Sequence, residues 1–184
     1  MKKQLLHSGW QLTTVGKNDT IPATVPGSVY NDLLNAGRME DPYWRDNEMK
    51  ALALMDEDYR YNTTFDVNAD VLNSERVLLR CEGLDTIADI VLNGEKIASV
   101  CNMHRTWEFD VKDSLKTTGN TLEIVFHSPT KYTSKSRIRS ATRAAATKQW
   151  SASRTCARRT ACSAGTGVPA CLMPAFGATL CFAA

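Results

Sequence analysis

The dipeptide Asn93-Gly94 is the feature of this sequence that most restricts the fold. It joins two short runs, residues 87–92 and residues 95–98, that have the apolar character of strands. Both Asn and Gly tolerate the positive φ that a type I′ turn requires, and the twist of this turn matches that of two antiparallel strands. The dipeptide therefore predicts a β-hairpin and, with it, an antiparallel sheet.

Further short segments alternate apolar and polar side chains, which is the pattern of a strand that is buried on one face. Turns such as residues 83–86 and 117–120 separate these segments. Several short strands separated by turns predict an all-β fold, namely a β-sandwich. We expect Trp10 and the aromatic face of residues 59–67 to fill its core. Besides the hairpin, the predicted strands are residues 4–13, 59–67, 76–82, 107–111 and 121–126.

One short helix interrupts the strand pattern near the N-terminus. Pro26 fixes its own φ and Gly27 permits a tight turn, so the direction of the chain is set before Ser28. Ser28 is a suitable N-cap for a helix over residues 29–36, and Gly37 ends that helix. The sequence thus predicts one short N-terminal helix in an otherwise all-β domain.

A polar aromatic loop follows this helix. Residues 41–48, with the sequence DPYWRDNE, place two aromatic rings among five charged or amide side chains. Aromatic rings with polar neighbours on a loop are typical of a site that contacts a polar, ring-shaped ligand. This loop is therefore the candidate binding segment of the chain.

Five ordered motifs, which span roughly residues 10–132, resemble one protein family. The motifs are PATVPGSVYNDLLNAG, DPYWRDNE, DEDYRYNTTF, GLDTIADIVLNGEKI and NMHRTWEFDV. They resemble the N-terminal domain of β-mannosidases in family 2 of the glycoside hydrolases. The resemblance implies a β-sandwich of jelly-roll, galactose-binding-like type. It also implies that the two catalytic glutamates belong to a separate α/β barrel, several hundred residues further on.

The resemblance implies a fragment of an enzyme that hydrolyses terminal, non-reducing β-D-mannose residues by a retaining mechanism. This chain stops well before the barrel, so we expect no catalytic residue in it and no activity from the chain alone. The implied partner is a β-mannoside or another mannose-containing glycan. An alternative from a different class is a free-standing carbohydrate-binding sandwich.

Two residues of the loop are candidates for substrate contact, because in family 2 enzymes this loop reaches toward the active site of the barrel. The amide of Asn47 can both donate to and accept from a sugar hydroxyl, although it can also cap its own loop. Trp44 can stack on a pyranose ring or anchor the loop, and we favour the anchor. Acidic residues at turns are interpreted as solvated caps rather than as a catalytic pair.

Other site classes have little support in the sequence. The three histidines, His7, His104 and His127, are far apart and have no cysteine pairs at metal-ligand spacing, so no metal site is expected. There is no P-loop, dinucleotide fingerprint or nucleophile elbow. We therefore expect no cofactor.

The expected location is cytoplasmic. The apolar run before His7 is too short for a signal-peptide core, and no stretch of the sequence reaches transmembrane length. In a reducing compartment, Cys81 and Cys101 are expected to be buried thiols rather than a disulfide.

Residues 133–184 have an unusual composition and are expected to form a separate, disordered tail after a sandwich of residues 1–132. Eight of the 22 basic residues and none of the 20 acidic residues lie in this tail. A nucleic-acid arm would interleave aromatic residues with its charges, and a cysteine knot would contain closely spaced pairs. The apolar end carries too few large side chains to insert into a membrane. We therefore expect neither a nucleic-acid nor a membrane partner.

The tail is better explained as a segment translated in the wrong frame. The family resemblance implies a WDWG segment at this distance, and the tail does not contain one. Permitted codons for residues 154–180, read from each third base, encode HLRKAHCMFSWDWGARLPDAGIWRDI, which supplies that segment. In the family, the WDW stretch resembles a wall of the mannose subsite.

We predict a deleted or inserted base between the codons for Tyr132 and Arg143 of the gene. Nucleotide sequencing from this region onward checks the prediction. Codons whose third-base frame does not encode the WDWG peptide would show that the tail has another origin.

Overall fold

The computed structural model describes residues 2–17, 19–132 and 175–183. Its strands are β1 Lys2–Leu5, β2 Gln11–Thr14, β3 Thr20–Pro22, β4 Gly27–Ser28, β5 Tyr59–Phe65, β6 Arg76–Glu82, β7 Ile87–Leu92, β8 Glu95–Cys101, β9 Trp107–Asp110, β10 Asn120–Phe126 and β11 Ala175–Ala183. Its helices are α1 Val29–Asn35, α2 Asn47–Leu54 and α3 Ala69–Leu72, and Lys112–Ser114 form a 3-10 turn. None of the described helices has the length and apolarity needed to span a membrane.

The strands form two antiparallel sheets. The larger sheet has the order β3-β2-β5-β10-β7-β8, and the smaller has the order β1-β11-β6-β9 with β4 beside β11. The inward faces of both sheets contribute to a single hydrophobic core. The predicted all-β sandwich is therefore confirmed.

In β6 and β10 every second side chain is buried, which is the pattern of a strand with one face against a core. On β6, Val77, Leu79 and Cys81 are at most 1% exposed, while the residues between them are more exposed. On β10, Leu122 and Ile124 are also fully buried. Apolar residues at alternate positions give each strand one face for the core and one for water.

The hairpin predicted from Asn93-Gly94 is confirmed. Both residues have positive φ, 53° and 84°, as a type I′ turn requires. Leu92 pairs with Glu95 directly before the turn. The Asn93 side chain adds further support, because its Nδ2 donates to Ser114 O at 2.6 Å and its Oδ1 accepts from Thr121 N at 3.0 Å.

The prediction of one strand over residues 4–13 is wrong, because the structure divides it into β1 and β2. Gly9, with φ 75°, lets the backbone bend between them. Leu6 and Trp10 flank the bend, and Trp10 Nε1 donates to Leu6 O at 2.8 Å. The predicted core role of Trp10 is confirmed, since its side chain is 2% exposed.

The helix predicted over residues 29–36 is confirmed as α1. Its N-cap is Ser28, whose side chain accepts a hydrogen bond from Asn31 N. The sequence predicts one short helix, and this number is wrong because the described residues also contain α2 and α3.

Cys81 and Cys101 are both free thiols. Burial raises the pKa of the Cys81 thiol to about 12, which keeps it protonated and unreactive. Cys101 is exposed at the end of β8, so the expectation that it is buried is wrong. An edge strand leaves its last residue open to solvent.

The expectation that no residue after Tyr132 adds a strand is wrong for β11. β11 lies between β1 and β6 in the smaller sheet. The residues in register with buried Val77, Leu79 and Cys81 are Phe182, Leu180 and Ala178, all apolar. This alternation is hidden in the sequence by the small residues around it. Residues 133–174, where a disordered tail is predicted, lie outside the described residues.

A buried carboxylate fastens α1 to the larger sheet. Asp32 is 2% exposed and accepts hydrogen bonds from Thr24 N at 2.9 Å and from Tyr61 Oη at 2.8 Å. Burial raises the pKa of Asp32, and the two hydrogen bonds oppose this rise. A raised pKa means that the folded state binds a proton more readily than the unfolded state, so this group lowers stability as the pH rises through its pKa.

We expect Tyr61→Phe to lower the free energy of unfolding by about 1–3 kcal/mol at neutral pH, because one oxygen of a buried carboxylate loses its donor. The loss should shrink as the pH falls, since a protonated Asp32 needs that donor less. Urea unfolding at several pH values measures both effects.

Tyr59→Phe is the matched control for this prediction. The Tyr59 hydroxyl donates to the Leu54 carbonyl at 2.8 Å, and that acceptor does not titrate. Its loss should therefore be independent of pH. Equal pH dependence in the two variants would contradict the assignment of the Tyr61 effect to Asp32.

Candidate functional site

The predicted binding loop forms one wall of an open surface depression with a volume of about 620 Å³. Both substrate-contact candidates, Trp44 and Asn47, line it. The other lining residues are Glu40, Asp41, Arg45, Asp46 and Lys50. An indole, an amide, three carboxylates and two cations therefore surround one depression, which is a suitable set of groups for a polyhydroxylated ligand.

Turns fix the shape of the loop. Asp41 organises its start, because its side chain accepts from Tyr43 N at 2.9 Å and its carbonyl accepts from Trp44 N at 3.1 Å. The Trp44 carbonyl then accepts from Asn47 N at 3.2 Å. Arg45 between them has a φ of 51°, in the left-handed region that few residues other than glycine adopt. The loop thus has a specific conformation of its own.

Trp44 is 64% exposed, so most of its ring is not buried by the domain. The Arg45 guanidinium lies 5.8 Å from the centre of the ring. This exposure does not fit the anchor that we favour from the sequence, because an anchor buries its ring. A ring in this position can stack on a sugar.

Asn47 has a structural role. Its Nδ2 donates to the Asp41 carbonyl at 3.1 Å, which closes the loop on itself. This hydrogen bond is the loop-capping alternative that the sequence left open. Asn47 lines the depression as well, so the same amide closes the loop and lies at the depression.

Two tyrosine hydroxyls attach α2, which carries Asn47 at its start, to the domain. Tyr30 on α1 donates to the Ala51 carbonyl at 2.9 Å, and Tyr59 on β5 donates to the Leu54 carbonyl at 2.8 Å. Burial, followed by the nearby charge of Glu57, raises the pKa of Tyr59 to about 12, so it remains a donor at neutral pH. Helix α2, which contributes Asn47 and Lys50 to the depression, is therefore fixed to the domain.

A charged cluster on the larger sheet escaped the sequence analysis. His127 Nε2 lies 3.0 Å from Asp89 Oδ2, and Lys96 Nζ lies 2.9 Å from the same oxygen. Burial opposes ionisation of Asp89, but hydrogen bonds from Ser99, His127 and Lys96 lower its pKa to about 2. Asp89 lies on β7, Lys96 and Ser99 lie on β8, and His127 follows β10, so no local sequence signal indicates the cluster. The hydrogen bonds from Ser99 and His127 to Asp89 join three neighbouring segments of the larger sheet.

The chain matches a family model described as glycosyl hydrolase 2 galactose-binding domain-like over residues 10–175. The match extends past residue 132, where our motif-based resemblance ends. The segment that we set apart as a tail therefore contains part of the family match.

Curated relatives are β-mannosidases. The chain is 32% identical to a β-mannosidase of Bos taurus over 127 residues, which are 69% of this chain and 14% of the relative. It is 38% identical to β-mannosidase A of Emericella nidulans over 122 residues, 65% of this chain and 13% of that protein. The chain thus spans about one seventh of the length of these relatives.

Solved structures share the fold. A β-D-mannosidase from Dictyoglomus thermophilum superposes with a TM-score of 0.92 and 28% identity, over 99% of this chain and 23% of that one. An exo-chitosanase from Amycolatopsis orientalis superposes with a TM-score of 0.60 and 19% identity, over 69% of this chain and 17% of that one. The second likeness extends to the fold alone.

We expect Trp44→Ala to change the free energy of unfolding by less than about 0.5 kcal/mol, because the ring is mostly exposed. Trp10→Ala, at a buried position, should cost about 3–5 kcal/mol and serves as the control. Urea unfolding of both variants provides the measurement. A loss above about 1 kcal/mol for Trp44→Ala would restore the anchor interpretation.

Proposed function

Because the chain belongs to the glycosyl hydrolase 2 galactose-binding domain-like family, we propose that it is the N-terminal sandwich domain of a β-mannosidase. The likeness to β-mannosidases in sequence and in structure supports this assignment. The activity proposed for the whole protein is hydrolysis of terminal, non-reducing β-D-mannose residues with retention of configuration. In this proposal the domain supports the reaction and does not perform it.

The depression around Trp44 is the observation that carries the proposed role of the domain. Its indole ring is exposed, and the Asn47 amide lies at the same depression. We infer that the loop supplies one wall of a sugar site, with Trp44 against the face of a pyranose and Asn47 beside its hydroxyls. A retaining hydrolase also needs two carboxyl groups on opposite sides of the scissile bond, about 5–5.5 Å apart. We assign these groups to the barrel of the proposed parent enzyme.

One wall of a sugar site should bind weakly by itself. An open depression leaves most of a monosaccharide in water, so few of its hydrogen bonds and little of its surface contribute to affinity. We therefore expect the chain to bind β-mannosides with a dissociation constant in the millimolar range, on the order of 4 kcal/mol. A free-standing carbohydrate-binding module would bind more tightly, because its whole site would lie within this chain.

We also propose a cytoplasmic location for the protein. Cys81 and Cys101 are free thiols, as expected of a protein in a reducing compartment. Fractionation of cells that express the chain, followed by alkylation of Cys101 without prior reduction, tests this location. The location would be contradicted if the chain were recovered from an oxidising compartment and its Cys101 thiol were already oxidised, so that it did not react with the alkylating reagent.

We expect the purified chain not to hydrolyse an aryl β-mannoside, because the proposed nucleophile and acid belong to the barrel. Release of the aryl group, followed by absorbance, measures the activity. Turnover that Glu48→Gln abolishes would overturn the supporting role, since Glu48 then acts as a catalytic carboxylate.

Titration of the chain with methyl β-mannoside, followed by nuclear magnetic resonance, tests whether the loop with Trp44 and Asn47 contacts the sugar. Shifts confined to the loop that Trp44→Ala and Asn47→Ala remove are the expected result. Val15→Ala, at another partly exposed apolar residue, is the matched control and should leave the shifts unchanged. Shifts that persist in both loop variants would show that the wall lies elsewhere.

A further inference from the structure

Strand β11 holds together three segments that are far apart in the sequence. It pairs with β1 on one side, with β6 on the other, and with β4 through two residues, Ala175 opposite Ser28 and Phe176 opposite Gly27. Among the described strands, β11 is the one partner of β1 in the sheet. The place that β11 occupies is called the strand slot below, and it is formed by β1, β4 and β6, all within residues 2–82.

The strands that border the slot, β1, β4 and β6, all precede residue 83 in the chain, so no residue between β10 and β11 forms part of the slot. β6 is held on its far side by β9, and Val77, Leu79 and Cys81 fix it to the core. β4 is fixed because it runs directly into α1, whose N-cap is Ser28. Two of the three sides of the slot therefore have supports of their own.

The pairing of β11 is suited to any copy of the same strand. All seven β6 residues pair with β11 in one uninterrupted antiparallel register, from Gly177 opposite Glu82 to Ala183 opposite Arg76. The backbone hydrogen bonds of such a ladder do not depend on which molecule supplies the strand. An identical strand from a second molecule restores every pair.

The sequence separation between β10 and β11 allows the exchange. Residues 127–174 lie between these strands, and their contour at about 3.4 Å per residue exceeds the width of a domain of this size. For a strand tethered to its own domain, the effective concentration is on the order of 1 mM. A second molecule at comparable concentration can therefore compete with the strand of the same chain.

Charge favours the encounter of two copies. Residues 133–184 contain eight basic and no acidic residues, whereas all 20 acidic residues lie before them. The segment next to β11 in one copy is therefore attracted to the acidic sandwich of another copy. The formal net charge of the whole chain is only +2, so little overall repulsion opposes association.

We propose that β11 is an exchangeable strand, and that two copies of this chain associate by placing residues 175–183 of each copy in the strand slot of the other. The partner of this surface is a second copy of the same chain. The swapped dimer contains the same strand pairs as the monomer, so its formation is set by concentration and not by new contacts.

A disulfide between strand β6 and strand β11 tests the proposal. Ala178 lies directly opposite Cys81, and directly opposed residues of an antiparallel pair are within reach of a disulfide. The test variant is Ala178→Cys in the full chain, with the remaining cysteines changed to Ser; these are Cys101, Cys156, Cys162, Cys171 and Cys181.

Equal amounts of light and heavy-nitrogen-labelled variant are mixed, oxidised with a copper catalyst and analysed by mass spectrometry after digestion. At about 1 mM protein we expect linked peptides that combine a heavy and a light strand, and about a hundredfold dilution should leave mainly links within one chain. Links within one chain at both concentrations, or no link at all, would overturn strand exchange.

Thr179→Cys in the same background is the matched control. Thr179 lies opposite Arg80, so its thiol should form no bond with Cys81. Equal linkage of the two variants would show random oxidation and would also overturn the proposal.

The unmodified full chain provides a second measurement if the Ala178→Cys variant does not fold. It is mixed with a fluorescent peptide of residues 175–183, and fluorescence anisotropy follows binding. We expect saturable binding that a Thr179→Pro peptide lacks, because proline removes the N–H at the centre of the pairing with β1 and β6. Absence of binding, or equal binding of both peptides, would show that the slot is closed to a second strand.

Discussion

Burial of the inner face of β6 is the constraint on which the rest of this structure depends. Val77, Leu79 and Cys81 are essentially without solvent contact, and they face a core to which β10 contributes Leu122 and Ile124. A layer that excludes water from both sheets favours strands such as β6 and β10, which bury every second residue. The polar loops between strands and helices must therefore lie at the surface, and the candidate loop is one of these loops.

Local signals in the sequence account for much of the fold. The Asn93-Gly94 turn and the strand over residues 76–82 were predictable, because each is specified by neighbours in sequence. The break between β1 and β2 was not, since Leu6 and Trp10 continue the apolar pattern through the bend at Gly9. Strand β11 was not predictable either, because its partners precede it by many residues and its own composition is atypical.

Some features of the candidate site were also predictable from the sequence, and others were not. Its residue types were evident from the sequence, since two aromatic rings among charged and amide groups stand out in residues 41–48. The exposure of Trp44 and the bond from Asn47 to Asp41 required the structure, because both depend on how the loop turns. The cluster around Asp89 could not be predicted from the sequence. His127 is 38 positions away from Asp89 along the chain, and only the fold brings the two residues together.

The strand slot and the candidate loop are joined through a short path of direct contacts. β11 pairs with Ser28, which caps α1, and α1 holds α2 through the hydroxyl of Tyr30 and the carbonyl of Ala51. α2 begins with Asn47 at the depression. The candidate loop is therefore linked to the strand slot through β4, α1 and α2. Because a swapped strand makes the same pairs with β4, the proposed exchange leaves this path of contacts unchanged in both copies.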